Sequence, residues 1–216
     1  MKYLLFDLDG TLTDPKIGIT TCVQYALRRF GIDEPDIDRL TWFIGPPLSE
    51  SFKQGYGFDD EQAARAIAAY RERFSTVGLF ENTVYDGVPA MLDALRAAGF
   101  VTAVATSKPT VFSERILAHF GLADKFDAVV GSELDGTRTA KADVIREVTA
   151  RLDIRDPADA VMVGDRRQDI LGAAACGMRA IGVRYGYAEP NELEQAGAWR
   201  IADTVADLEK LLLSLR

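Results

Sequence analysis

The sequence predicts an α/β fold: a doubly wound, mostly parallel sheet with a helical domain inserted after the first strand. Three observations carry this. An apolar run from Lys2 to Leu8 reads as a buried strand that ends in the acidic turn Asp7-Leu8-Asp9-Gly10. From Asp86 to Arg216, strand-like and helix-like patterns alternate in the order that builds a parallel sheet flanked by helices. Between these regions, from Pro15 to Asn82, helical periodicity prevails and no convincing strand interrupts it. The reading therefore divides the chain into an α/β core of residues 1–14 and 83–216 and a helical domain of residues 15–82.

After the first strand, Thr20 to Phe30, Ile37 to Phe43, Leu48 to Tyr56 and Asp60 to Val77 read as helices. They are broken at Gly31, at Gly45-Pro46-Pro47 and at Gly57, residues that stop or turn a helix. In the core, strands are expected at 101–106, 127–131, 160–164 and 179–183, and helices at 87–98, 109–120, 140–152, 168–176 and 204–215. Gly99, Gly121 and Gly177 each follow a helical stretch, where a left-handed cap residue belongs. Loops around Asp14-Pro15 and Val84-Tyr85-Asp86 are the expected hinges between the two domains.

With 216 residues, 48% hydrophobic and 27% charged, the chain has enough material for a full core. A net charge of −8 argues against nucleic-acid polymers and anionic membranes as partners, because both call for a basic face. Only two cysteines are present, Cys22 and Cys176, far apart and within helical patterns, so buried reduced thiols are expected. The apolar stretch near residue 1 is too short to span a bilayer and runs directly into Asp7 and Asp9, which gives the expectation of a cytoplasmic protein.

The chemistry begins with strand alternation. Asp7 and Asp9 lie two residues apart, so they share a face, and Gly10 lets the backbone turn sharply behind them. Two carboxylates held this close require a cation or a shared proton, although an acidic strand-end turn alone also accounts for such a triplet. Three further signals follow in order: a Val-rich strand ending in Thr106-Ser107-Lys108-Pro109, a helix opening at Lys141, and a strand ending in Gly164-Asp165 with Asp169 one helical turn on. In a doubly wound sheet the carboxyl ends of the strands line one crevice, so these groups are expected to meet there.

The ordered signatures Asp7-Leu8-Asp9-Gly10-Thr11, the strand-end Thr106, the lone Lys141 and Gly164-Asp165 followed by Asp169 resemble those of haloacid dehalogenase superfamily phosphatases. The similarity is to phosphoglycolate phosphatase-like members carrying a C1-type helical cap, and it runs the length of the chain. It implies an Mg²⁺-dependent hydrolase of a small-metabolite phosphomonoester, phosphoglycolate first, acting through an aspartyl-phosphate. Carried over residue by residue, Asp7 is the nucleophile and Asp9 the general acid and base. Thr106 then binds the phosphoryl oxygens and Lys141 neutralises the nucleophile and the developing charge. The expected metal set is Asp7, Asp165, Asp169 and the backbone carbonyl of Asp9. Gly10, Thr11 and Ser107 are expected to meet substrate from the core, and Pro46 and Lys53 from the cap.

Several of these residues have plainer readings. Asp169 holds a metal-bound water, orients Lys141, or complements the helix dipole. Thr11 is a phosphate donor or a turn hydroxyl, Ser107 and Lys108 are supporting residues or polar groups at a helix start, and Lys53 is a pocket cation or a solvated one. Gly45-Pro46-Pro47 is a specificity loop of the cap or simply a helix break. Trp42, Phe43, Phe52, Tyr56 and Phe58 read as core of the helical domain rather than a base-stacking surface, and His119, the only histidine, as a helix-end cation. Rival activities are a 5′-nucleotidase, a pyrophosphatase, a sugar-phosphate mutase, a phospho-receiver switch and a metabolite-binding protein without turnover. An inserted helical domain speaks against the receiver, which ordinarily carries no such lid.

Overall fold

The computed structural model describes residues 1–216. At its centre lies β1 (Tyr3–Phe6), whose Leu4, Leu5 and Phe6 are fully buried, as expected of a strand covered on both faces. Around it stand β4 (Val101–Pro109), β5 (Ala128–Ser132), β6 (Ala160–Gly164), β7 (Arg179–Val183) and β8 (Arg200–Ala202). Their order across the sheet is β5-β4-β1-β6-β7-β8, and every pairing is parallel. The chain moves from β1 outward through β4 to β5, then returns to the other side of β1 for β6. The strand order thus reverses at β1, and the carboxyl end of β1 is the topological switch point of a doubly wound sheet. Two short strands, β2 (Thr13–Asp14) and β3 (Thr83–Val84), form a separate two-stranded ribbon.

The helices are α1 (Lys16–Arg28), α2 (Leu48–Tyr56), α3 (Asp60–Phe74), α4 (Val88–Ala97), α5 (Thr110–His119), α6 (Lys141–Arg151), α7 (Arg167–Ala174), α8 (Glu192–Gln195) and α9 (Val205–Leu213). Two compact units result: Met1–Asp14 with Val84–Arg216, which holds the six-stranded sheet, and Pro15–Thr83, which holds α1 to α3. Within the second unit Phe43 and Phe52 are buried with ring centroids 5.0 Å apart, so the aromatic residues there form its own core. Ile37–Phe43 is a 3₁₀ turn capped by Asp36, which accepts from the Asp38 amide at 2.9 Å. Helix α1 begins four residues earlier than Thr20, directly after Pro15, whose ring presets the backbone for a helix start.

In the core, strands and helices fall close to the ranges expected from pattern, and Gly99, Gly121 and Gly177 take the left-handed conformation at φ 88°, 67° and 68°. Strand β4 differs: it runs to Pro109 rather than ending at Thr106. Its pairing with β5 shifts register between Ala105 and Pro109, and the Ser132 hydroxyl donates to the Ser107 carbonyl at 2.8 Å. The polar Thr106-Ser107-Lys108 segment is thus an irregularity held within the sheet, a common device beside functional sites. The short elements β8 and α8 carry too few residues to show a period, and pattern did not predict them.

Leu5 belongs to the buried cluster beneath the sheet with Met162, Val144 and Ile170. Leu5→Ala is expected to cost the core unit about 3 kcal/mol, from lost transfer energy plus a residual cavity. Leu171→Ala, at a side chain 54% exposed, should change stability by about 0.5 kcal/mol or less. Denaturant titration of both variants, followed by tryptophan fluorescence and circular dichroism, checks the difference.

Candidate active site

Register places the reactive groups. Phe6 pairs with Val104 on one side and Val163 on the other, so Asp7 emerges from β1 between the ends of β4 and β6. Its amide donates to the Val163 carbonyl at 2.8 Å, which keeps the sheet ladder intact up to the carboxylate. Asp7 Oδ1 accepts from the Leu8 amide at 2.8 Å and lies 3.1 Å from Lys141 Nζ, so the carboxylate is fixed in rotation. Lys141, the first residue of α6, reaches the same point from another element and is itself buried. Its ammonium donates to the Ala105 carbonyl at 3.1 Å and lies 2.7 Å from Asp169 Oδ1.

Asp165 and Asp169 complete a buried cluster. One ligand oxygen from each of Asp7, Asp165 and Asp169 lies within 4.8 Å of the others. Gly10, at φ 78°, turns the chain so tightly against Asp165 that a Cβ there would lie 2.1 Å from Asp165 Oδ2. The Thr11 hydroxyl reaches Asp165 Oδ1 only at 3.5 Å. Asp169 makes two contacts. One oxygen engages Lys141, while the other accepts from the Arg166 amide at 3.0 Å and caps the start of α7.

Asp9 is held apart from this cluster. Its Oδ2 lies 2.8 Å from Lys108 Nζ, and its Oδ1 is buried without a hydrogen-bond partner. Thr106, buried at the end of the regular part of β4, accepts from the Lys108 amide at 3.3 Å. Ser107 is half-buried and contributes its carbonyl to the β5 contact. Pro46 and Lys53 belong to the helical unit; Pro46 is half-buried and Lys53 pairs with Asp60.

Charge decides what such a site can hold. Asp7, Asp9, Asp165 and Asp169 are four buried carboxylates, and Lys108 and Lys141 are the two lysines paired with them. Arg166 is committed elsewhere, to Glu192 at 3.0 Å. Fully ionised, the four carboxylates would outnumber the two lysines by two charges in a region removed from water. Burial, with Asp169 and Asp7 beside it, lifts the Asp165 carboxyl well above the usual range. Burial also pushes Asp169 up to about 6, against the pull of Lys141, and raises Asp9 against the pull of Lys108. The Lys141 ammonium is held above an ordinary lysine: burial opposes its charge, but Asp169 and Asp7 outweigh it. Hard carboxylate oxygens of Asp7, Asp165 and Asp169 converging on one point fit a divalent cation such as Mg²⁺, and of the three only Asp165 has no lysine beside it.

Beyond Lys108, which reads from sequence as a supporting residue or a helix-start polar group, two supporting features were not singled out from sequence. Lys108 lies two residues after Thr106, and alternation would put both on one face of a regular strand, so its place beside Asp9 carried a readable signal. Glu192 accepts from Arg166 Nε at 3.0 Å and from the Arg167 and Glu189 amides at 2.7 and 2.9 Å, pinning the loop that carries Asp165. Tyr185 and Tyr187 bond to the Asp7–Asp14 and Asp165 loops from a segment with no periodic pattern.

Comparison with known proteins gives the lineage. The profile of haloacid dehalogenase-like hydrolases matches residues 4–183. A 5′-nucleotidase of Pseudomonas aeruginosa is 50% identical over 213 residues, covering 98% of this chain and 95% of the relative. The tyrosine-protein kinase PtkA of Mycobacterium tuberculosis is 39% identical across 98% of this chain and 72% of its own length. A phosphoglycolate phosphatase of Colwellia psychrerythraea is 28% identical across 100% and 97%. The crystal structure of a predicted phosphatase from Clostridium acetobutylicum superposes with a TM-score of 0.96 at 50% identity, covering 99% of this chain and 98% of that one. No helix is long and apolar enough to cross a membrane. With its carboxylates and lysines gathered at the switch point of a doubly wound sheet, the chain belongs to the haloacid dehalogenase-like hydrolases, as a phosphatase acting on phosphoric monoesters.

Proposed function

We propose that this phosphatase works through an aspartyl-phosphate on Asp7, with Asp9 as acid and then base, and that its substrate is a nucleoside 5′-monophosphate. The observation carrying the mechanism is that two carboxylates two residues apart are held by different lysines. Lys141 fixes and aims Asp7, whereas Asp9 keeps one buried oxygen unbonded and a carboxyl lifted toward its protonated form. In the first step the Asp7 carboxylate bonds to phosphorus as the ester oxygen departs, and that oxygen takes the Asp9 proton. In the second, Asp9 takes a proton from water as the water oxygen bonds to phosphorus. The Asp7–phosphorus bond breaks, and inorganic phosphate leaves. Thr106 and Lys141 stabilise the charge on the transferring group. Mg²⁺, held by Asp7 and Asp165 with the Asp9 carbonyl, would neutralise phosphoryl charge. Asp169 serves by orienting Lys141.

Substrate choice follows similarity. The relative at 50% identity over nearly the whole chain is a 5′-nucleotidase, and phosphoglycolate phosphatases stand at 28–29%. That ordering moves the nucleotide ahead of phosphoglycolate, which ranks second. The helical unit, as a cap, would select among substrates and contribute Pro46 and Lys53 to that selection. Phosphate release from a panel of 5′-nucleotides, phosphoglycolate, pyrophosphate and sugar phosphates tests the assignment. Nucleotides should give the highest kcat/KM. Transfer to an added tyrosyl peptide in place of release to water would favour the kinase relative's activity. Pro46→Ala and Lys53→Ala should redistribute kcat/KM across the panel more than they change hydrolysis of a small aryl phosphate.

Asp7→Asn should reduce turnover to about one-thousandth or less, a barrier increase of about 4 kcal/mol, in a protein whose mass excludes deamidation and whose circular dichroism is unchanged. Asp9→Asn should be impaired most on substrates with poor leaving groups and should still incorporate phosphate from an aryl phosphate, because a good leaving group needs little acid assistance.

A pH test follows from the upward shifts of Asp165 and Asp169. Protons compete with the cation for the Asp165 carboxylate, which burial lifts well above the usual range, so Mg²⁺ affinity measured by calorimetry should fall as pH is lowered. The sign for stability is the reverse. Carboxyls whose folded pKa is raised favour the fold below their unfolded value, and that contribution is lost as pH rises through about 6. Melting of protein kept in chelator should therefore show the site's contribution declining over that range, and added Mg²⁺ should stabilise most above it.

A further inference from the structure

We infer that Tyr185-Gly186-Tyr187 is a positioning strap that aims the Asp165 carboxylate at the cation site. The inference rests on the metal-dependent reading above and extends it to residues outside the catalytic set. The segment leaves β7 and crosses Gly10 and Asp165 so closely that a Cβ on Gly186 would lie 2.3 Å from the Gly10 carbonyl oxygen and 2.4 Å from Asp165 Cβ. Gly186 does not take a left-handed conformation, so the demand is for space alone. With Gly10 against its other side, the Asp165 side chain is wedged between two backbones that carry no side chain there.

Within that wedge the strap supplies the direction. The Tyr187 amide donates to Asp165 Oδ2 at 2.8 Å, the strongest hydrogen bond this carboxylate receives, since Thr11 reaches Oδ1 only at 3.5 Å. No lysine or arginine pairs with Asp165, in contrast to Asp7, Asp9 and Asp169. One oxygen is thus fixed by a neutral backbone donor, which sets the direction of the carboxylate.

The strap is itself tied down at both ends. The Tyr185 hydroxyl donates to the Thr11 carbonyl at 3.0 Å, and the Tyr187 hydroxyl donates to Asp14. The Tyr185 ring meets Tyr85 edge-on with centroids 5.1 Å apart. Both hydroxyl anchors lie on the loop that begins with Asp7, so the strap fixes the distance between the loops carrying the two proposed metal ligands. Tyr185 and Tyr187 act through Asp165 and touch no reacting atom.

Calorimetric titration of Mg²⁺ into the whole protein tests this, alongside the Mg²⁺ dependence of phosphate release. Gly186→Ala should weaken Mg²⁺ binding by about 10-fold or more, the usual effect of disturbing a group that orients a metal ligand. The paired change Tyr185→Phe with Tyr187→Phe keeps the rings and the Tyr187 amide and removes only the anchors, so it serves even if Gly186→Ala misfolds. It should raise the Mg²⁺ dissociation constant and the activating concentration together, by about 3-fold to 10-fold, with kcat recovering at saturating Mg²⁺. Wild-type Mg²⁺ affinity in the folded double variant overturns the strap. So does a loss of kcat that saturating Mg²⁺ does not restore. A wild-type protein that hydrolyses phosphomonoesters without binding Mg²⁺ overturns the metal reading and the strap with it.

Discussion

Lys141 is buried 2.7 Å from Asp169 and 3.1 Å from Asp7, and most of the site's geometry answers to that arrangement. A lysine at such depth is costly unless carboxylates neutralise it, and removing one partner of a buried pair leaves a charge with nowhere to go. Both partners must therefore be placed accurately and held. Parallel pairing on both sides of β1 holds Asp7, and the helix-capping contact to the Arg166 amide holds Asp169. The ammonium also donates to the Ala105 carbonyl, which ties α6 to β4 and fixes its level against the sheet. Strand order, helix start and charge pairing are satisfied together at one atom.

The same constraint explains why the surrounding loops are built from small residues and second carboxylates. Asp165 follows the end of β6, one residue beyond the sheet, and only backbone without side chains leaves room for it. The next residue, Arg166, carries a guanidinium that would otherwise compete for the cluster. Glu192 takes it up, with two backbone amides completing its coordination, so the arginine braces the loop that carries Asp165. In an acidic chain of net charge −8, two lysines are nevertheless buried against the carboxylates of this region.

How far the sequence discloses this depends on whether a residue's placement follows from period or from contact. Asp7, Thr106 and Asp165 stand at strand ends, and strand ends are readable because buried strands are short apolar runs bounded by polar residues. In a parallel sheet those ends share an edge, which is why distant segments were expected together and why the structure brings Asp7, Asp165, Asp169 and Lys141 together. Lys108 reads from sequence as a supporting residue or a polar group of a helix start, because Thr106-Ser107-Lys108-Pro109 looks like the end of a strand. The backbone instead continues through an irregularity paired to Ser132. Tyr185 and Tyr187 had no period to betray them: their contacts run through a loop amide and two hydroxyls, set only once the whole sheet has formed. The Arg166–Glu192 pair joins residues 26 apart across α7 and β7, a distance that local pattern does not span.

Separating two neighbouring carboxylates by function is the remaining problem that the fold solves. Asp7 and Asp9 share a strand face and differ by two residues, so local sequence alone would give them one environment. The sheet distinguishes them by bringing Lys141 from α6 to the first and Lys108 from β4 to the second. Asp7 additionally receives the Leu8 amide, whereas Asp9 keeps an oxygen with no donor and is raised by burial despite Lys108. The two carboxylates thereby have different surroundings: Asp7 Oδ1 meets both an amide and an ammonium, whereas Asp9 meets an ammonium on one oxygen and no donor on the other. Because both lysines arrive from elements distant in the chain, the difference between Asp7 and Asp9 is a property of the folded sheet, and it is lost wherever the sheet's register is lost.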